Sequence, residues 1–156
     1  MAVTEWINNR FGVALNEAAL SEIKDFSLIW NVFEGQVCNN NFSIAEVEQR
    51  IAERDFTAES FAPHLQYFQN RYTKDGETNE RFEFLHFRPN DRREFVRQVL
   101  LGERTGIRDI LLAIVIIVYR FRNNLFHGLK DIQVIDQQHA NFETANSFLM
   151  TFLDQY

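Results

Sequence analysis

Apolar residues return along this chain mostly every three or four positions. Leu20, Ile23, Phe26, Ile29, Trp30 and Phe33 form such a series, with Leu28 widening the stripe. That spacing covers one face of an α-helix. Asn16 stands before Glu17-Ala18-Ala19-Leu20, a suitable start, and Asn39-Asn40-Asn41 supplies the break after about Cys38. Thr4 is placed to cap a shorter helix carrying Trp6, Ile7 and Phe11. Ser43-Ile44-Ala45-Glu46 has the form of a capping box, with a helix expected to about Arg54.

The pattern continues in the same style. Thr57 is the expected cap of a helix bearing Phe61, Leu65 and Phe68, with Pro63 in its second turn as a source of a kink. Thr73 to Asn79, with Gly76, reads as a polar loop, and Arg81 to Phe87 fits either a helical turn or a short strand. A helix is expected from Asn90 or Asp91 through Phe95, Val99 and Leu100, ending near Gly102. The longest element is predicted from about Ile107 to His127, with Gly128 at the position after a helix end. Its first half is apolar all round, which suits a rod buried on every side. A last helix is expected from about Asp136 to Asp154. The sum is an all-α bundle of four to five main helices with short additional ones, in a single domain over residues 1–156.

Composition narrows the function. The run Ile110–Val118 is too short for a membrane span, which needs about 20 apolar residues. The start, Met1-Ala2-Val3-Thr4-Glu5-Trp6, has neither a basic opening nor an apolar signal core. With a single cysteine, Cys38, neither an intrachain disulfide nor a cysteine-based zinc site can form, and a reducing, cytoplasmic setting is expected. Cys38 itself is expected to be a packed, inert thiol. The 16 phenylalanines are read as core filling, with Tyr67, Tyr72 and Phe87 as the aromatic residues worth inspecting for base stacking.

The net charge of −6 excludes a uniformly basic nucleic-acid wrapper, but the charge is uneven. Residues 1–80 carry −7, residues 81–130 carry +5 and residues 131–156 carry −4. The middle block is either a solvated face paired with the acidic first half or a local anion-binding surface.

Phosphate-loop, dinucleotide and His-Glu-x-x-His patterns are absent, and His64, His86, His127 and His139 show no ligand spacing. No cofactor or metal is therefore expected. One stretch stands apart: Arg120-Phe121-Arg122-Asn123-Asn124-Leu125-Phe126-His127-Gly128. Polar groups directly following a buried rod are held rigidly, as a site requires. The plainer reading is a helix C-terminus whose cations meet the helix dipole.

Arg122-Asn123-Asn124-Leu125-Phe126-His127 resembles the arginine, polar residue, spacer and histidine motif of the HEPN superfamily, and Leu28-Ile29-Trp30-Asn31-Val32-Phe33-Glu34 is similar to an early helix of many members. The resemblance implies a small helical bundle that pairs about a two-fold axis. It also implies a metal-independent endoribonuclease with Arg122 and His127 as the catalytic pair and Asn123 as the supporting polar residue. The expected substrate is single-stranded RNA, cut to 2′,3′-cyclic phosphate and 5′-hydroxyl ends, with the basic block gripping the backbone. A role in toxin–antitoxin systems or antiviral defence, with a neutralising antitoxin or regulatory protein, belongs to the same expectation. Members controlled by modification of a tyrosine two positions after the histidine differ here, where Leu129 stands. On a regular helix, positions 122 and 127 point about 140° apart, so a distorted last turn or a dimer cleft is needed to bring them together. Glu34 is an additional candidate for orienting a cation or water. The alternatives are a non-catalytic module of the same kind that binds a nucleotide, RNA or a protein, and a purely structural bundle.

Overall fold

The computed structural model describes residues 1–125 and 138–156. His127, Gly128 and the expected start of the last helix at Asp136 lie outside the described residues. Among the described residues, eight α-helices run in the order α1 (Val3–Phe11), α2 (Ser21–Cys38), α3 (Ile44–Ala52), α4 (Ala62–Tyr72), α5 (Glu80–Glu83), α6 (Arg93–Leu100), α7 (Ile107–Leu125) and α8 (His139–Gln155). A 3-10 turn, Ala58–Phe61, leads into α4. The fold is all-α, and no described helix is long and apolar enough to cross a membrane.

The core is built around α7. Every side chain from Leu111 to Val118 is buried, as the unbroken apolar run requires. Helices α3, α4 and α6 pack on it, while α2 lies along α8. Aromatic rings fill the joints. Phe26 meets Phe142 with ring centroids 5.0 Å apart, and Phe33 meets Phe152 edge-on at 5.5 Å. Phe42 stacks on Tyr119 at 4.0 Å. Such pairs contribute about 0.5–1.5 kcal/mol each beyond the area they bury. Cys38 lies in this core, and burial raises its thiol pKa above the usual value.

Helix ends follow local chemistry, with instructive departures. Ser43 accepts from the Glu46 amide as the capping box requires, but the Glu46 carboxylate turns to Arg50, 3.5 Å away. Asn39 and Asn40 end α2 with φ of 52° and 65°, and their amides return to the Glu34 carbonyl. Asn16 does organise a turn, accepting from the Ala18 amide at 2.8 Å, yet α2 begins only at Ser21. Thr4 sits inside α1, whose cap position is Ala2, and its hydroxyl donates to Glu17. Thr57 makes no side-chain cap. Pro63 falls in the first turn of α4, where its missing N–H costs nothing, so it starts the helix instead of kinking it. The polar loop after α4 is a two-stranded antiparallel ribbon, β1 (Thr73–Lys74) and β2 (Glu77–Thr78). Asp75 and Gly76 both have positive φ, 53° and 78°, as the tight turn between such strands demands. Arg81–Phe87 begins with the single turn α5 and contains no strand.

The clearest departure concerns Asp91, expected to start a helix. Helix α6 begins two residues later, and Asp91 is buried beside Arg120, which is 1% exposed. Arg120 donates from Nη1 to Asp91 Oδ2 at 2.9 Å, from Nε to the Leu85 carbonyl at 3.1 Å and from Nη2 to Asn124 Oδ1 at 3.4 Å. Asp91 Oδ2 also accepts from the Arg88 amide at 2.8 Å. Asn124 Nδ2 donates to the Leu85 carbonyl at 3.1 Å. The side chains at one end of α7 thus hold the whole connection between α5 and α6.

Removing one member of a buried ion pair leaves the other uncompensated, at a cost of about 3–5 kcal/mol. Asp91→Ala should therefore lower unfolding free energy by about that amount in urea titration. Replacing both, as Arg120→Met with Asp91→Leu, should recover most of the loss.

Candidate functional site

The motif begins in the last turn of α7. Arg122 is half-buried, and its Nη1 donates to Asn123 Oδ1 at 3.1 Å. Asn123 is buried, 8% exposed, and its Nδ2 finds no hydrogen-bond acceptor among the described residues. The structure thus brings Arg122 and Asn123 together, with the amide holding the guanidinium and one buried donor left over. Arg120, adjacent in the motif stretch, serves the core pair instead. Burial pulls its pKa down, and the neighbouring Asp91 carboxylate only partly offsets this.

Glu34 Oε2 accepts from Trp30 Nε1 at 3.2 Å, so this carboxylate holds an indole within α2. His64 is buried between α4 and α8, with Nε2 3.0 Å from Ser147 Oγ and Nδ1 without a partner. Desolvation lowers its pKa below the ordinary 6.5. His139 stands at the start of α8 near Glu143, 3.9 Å away. No group of three or more His, Cys, Asp or Glu gathers to hold a metal among the described residues.

Five of the nine arginines in the basic block have a carboxylate partner among the described residues. All five acidic residues of 81–130 pair with arginines of the same block: Glu83 with Arg93, Asp91 with Arg120, Glu94 and Glu103 with Arg97, and Asp109 with Arg104. The acidic first half adds Glu48 on Arg92 and Glu77 on Arg97. Among the described residues the expected pairing with the acidic first half is met only at Arg92 and Arg97, and most carboxylate partners lie within the block itself.

A cleft of about 310 Å³ opens beside α7, lined by side chains of α4, α5, the segment following it, α7 and α8. Arg71, Arg81 and His86 line it together with Tyr72 and Phe84, and Phe121, Asn124 and Leu125 form its α7 wall. Sequence reading passed over Arg71 and Arg81, because nothing in a linear pattern links α4 and α5 to the end of α7. At about 100° per residue, Asn123 points about 150° away from the α7 wall of this cleft. Neither Arg122 nor Asn123 lines it. Of the aromatic residues marked for inspection, Tyr72 lines the cleft, Tyr67 donates to Asn141 Oδ1 at 2.7 Å, and Phe87 packs on Phe82 at 5.1 Å.

Comparison with protein-family models, curated proteins and solved structures gives no match for this chain.

His64 predicts a pH effect with a definite sign. The unfolded chain takes up a proton near pH 6.5, while the buried imidazole resists it. Stability contributed by neutral His64 is thus complete above pH 6.5 and declines as pH falls below it toward the lower folded value. An NMR titration should place the His64 midpoint below 6.5, and denaturation at pH 5 and 7 should show the loss.

Proposed function

We propose that the protein is a metal-independent endoribonuclease of the HEPN type, acting through Arg122, Asn123 and His127. The observation that carries this reading is the Arg122–Asn123 hydrogen bond at the end of a helix buried along most of its length. A guanidinium steadied by a buried amide on a rigid element is well suited to receive a phosphate. The unused Asn123 Nδ2 offers a further donor to a phosphate oxygen or to an imidazole.

The chemistry follows from the residue types. His127 removes the proton from a ribose 2′-hydroxyl, and the 2′-oxygen attacks the adjacent phosphorus. The bond from phosphorus to the 5′-oxygen breaks, and that oxygen takes a proton from the histidine of a second copy of the chain. A free histidine has a pKa of about 6.5, so both protonation states are accessible near neutrality. Arg122 stabilises the charge that develops on the phosphate oxygens. The products are a 2′,3′-cyclic phosphate and a 5′-hydroxyl, and DNA, lacking the 2′-hydroxyl, is not cut. On this reading the protein acts as a homodimer, and a toxin or antiviral-defence role with a neutralising antitoxin is the biological setting carried by the family resemblance.

The test is cleavage of mixed single-stranded RNA in excess EDTA by wild type, Arg122→Ala and His127→Ala. Wild type should yield cyclic-phosphate ends, and each substitution should reduce cleavage by at least about 100-fold, the lower range for losing a general acid–base. Cleavage that survives both substitutions, or that requires added metal, overturns the reading. Binding of RNA by pure wild type without turnover would favour a non-catalytic module.

A further inference from the structure

We infer that the cleft beside α7 is a second binding site, which takes a nucleotide unit through its phosphate and its ring. It is separate from the Arg122 motif, and its existence does not depend on whether that motif cuts RNA.

The first argument is charge. Arg71, Arg81 and His86 line one cleft, and no carboxylate lines it among the described residues. Six other arginines, at 50, 92, 93, 97, 104 and 120, have a carboxylate within 4 Å. Among the described residues, none stands within that distance of Arg71 or Arg81. In a chain with 22 acidic residues against 16 basic ones, two guanidiniums in one cavity without a carboxylate partner among the described residues are a selective arrangement. The Arg71 Nε is buried and has no hydrogen-bond partner among the described residues. A buried guanidinium donor without an acceptor calls for an anion or an ordered water.

The second argument is the convergence of these groups. Burial raises the pKa values of the Tyr67 and Tyr72 hydroxyls, and the charges of both Arg71 and Arg81 act against that rise at each. Both guanidiniums therefore act on the same pair of phenols, Arg71 also through a hydrogen bond, and Tyr72 lines the cleft with them. Glu143 is the carboxylate felt at Tyr67, but it is not a lining residue. The third argument is the remaining wall. Phe84 is 59% exposed, and Tyr72, Phe121 and Phe142 add ring surface. Asn124, Gln138 and Asn141 also line the cleft, the amides of Asn124 and Asn141 being bonded within the protein. Two guanidiniums and aromatic ring surface in one cleft match a phosphate and a base. A simple inorganic anion would leave the apolar wall unused.

The same chemistry could arrive as a free nucleotide or as one unit of single-stranded RNA, and the experiment separates these. Isothermal titration of the full chain uses the four ribonucleoside 5′-monophosphates, the matching nucleosides, inorganic phosphate, and an uncleavable 2′-O-methyl oligoribonucleotide. At least one monophosphate should bind, and its nucleoside should bind about tenfold more weakly, as loss of a charged hydrogen bond implies. Arg81→Glu, at an exposed position, should abolish binding, and Arg71→Ala should weaken it by about tenfold or more. Arg108→Ala, an exposed arginine away from the cleft, should leave it unchanged. Circular dichroism of each variant confirms the fold. Competition between monophosphate and oligonucleotide for the cleft identifies RNA as the source, and its absence identifies the free nucleotide. No binding by any probe, phosphate binding as tightly as the nucleotides, or binding indifferent to Arg81→Glu overturns the inference. RNA cleavage lost only in Arg122 and His127 variants, with nucleotide binding intact, supports both sites separately.

Discussion

A guanidinium placed inside the core must have all its donors met, and that requirement on Arg120 organises one side of this molecule. Desolvation acts against its charge more strongly than Asp91 restores it, as the direction of its pKa shift shows. The pair is therefore poorly explained as a source of net stability. Its effect is positional. Arg120 and Asn124 are four residues apart and project from one face of α7. Between them they hold the Leu85 carbonyl, and Arg120 reaches Asp91 as well. The connection from α5 to α6 then has little freedom. His86 and Arg92 both carry positive φ, 52° and 56°. That conformation costs about 1–3 kcal/mol for a residue that is not glycine and persists only where surroundings impose it.

The same constraint shapes the cleft. His86 and Phe84 flank Leu85, so the bonds that fix the Leu85 carbonyl also fix two lining positions. On the other wall Tyr67, Asn141 and Gln138 form a chain of side-chain hydrogen bonds, each 2.7 Å long, across the start of α8. Both walls are thus set by polar bonds within the protein, and between them Arg71 and Arg81 have no carboxylate partner among the described residues. The opposite logic governs Arg93, Arg97 and Arg104, whose carboxylates lie on neighbouring turns or loops. A surface ion pair of this kind contributes little energy, but it removes the cation from service as an anion ligand. The distribution of carboxylates, not of arginines, decides where this acidic protein can receive a phosphate.

Much of the fold was legible because burial has a period. The continuous apolar run of α7 announced a rod buried all round, and residues 111 to 118 are all inside. Ser43, Asn39 and Asn40 carried their signals in their own side chains and backbone preferences. Asp91 was misread because its partner is remote in sequence: it has the chemistry of a helix cap, yet it answers a cation 29 residues away. Asn16 does make a local turn, but that turn precedes the helix instead of starting it. Asp75-Gly76 is a strong hairpin signal between strands only two residues long, too short for any alternation to show. Arg120 and Arg122 look equivalent in the sequence. Only the packing distinguishes them, because two positions on a helix lie about 200° apart around its axis.

That rotation also explains how one helix end can serve two purposes. Phe121, Asn124 and Leu125 face the cleft, whereas Asn123 faces away from it and holds Arg122. A ligand in the cleft and a phosphate at Arg122 would therefore contact the same last turn of α7 from different sides without competing for a side chain. Asn124 is the residue through which they could communicate. It lines the cleft, bonds the Leu85 carbonyl and lies beside Asn123 in the chain. A ligand that drew the Asn124 amide away from Leu85 would loosen the turn carrying Arg122, whereas one that accepted its bonds as they stand would stiffen it. Coupling of either sign requires a difference in affinity between the two arrangements, and Asn124 supplies a physical element on which such a difference can act.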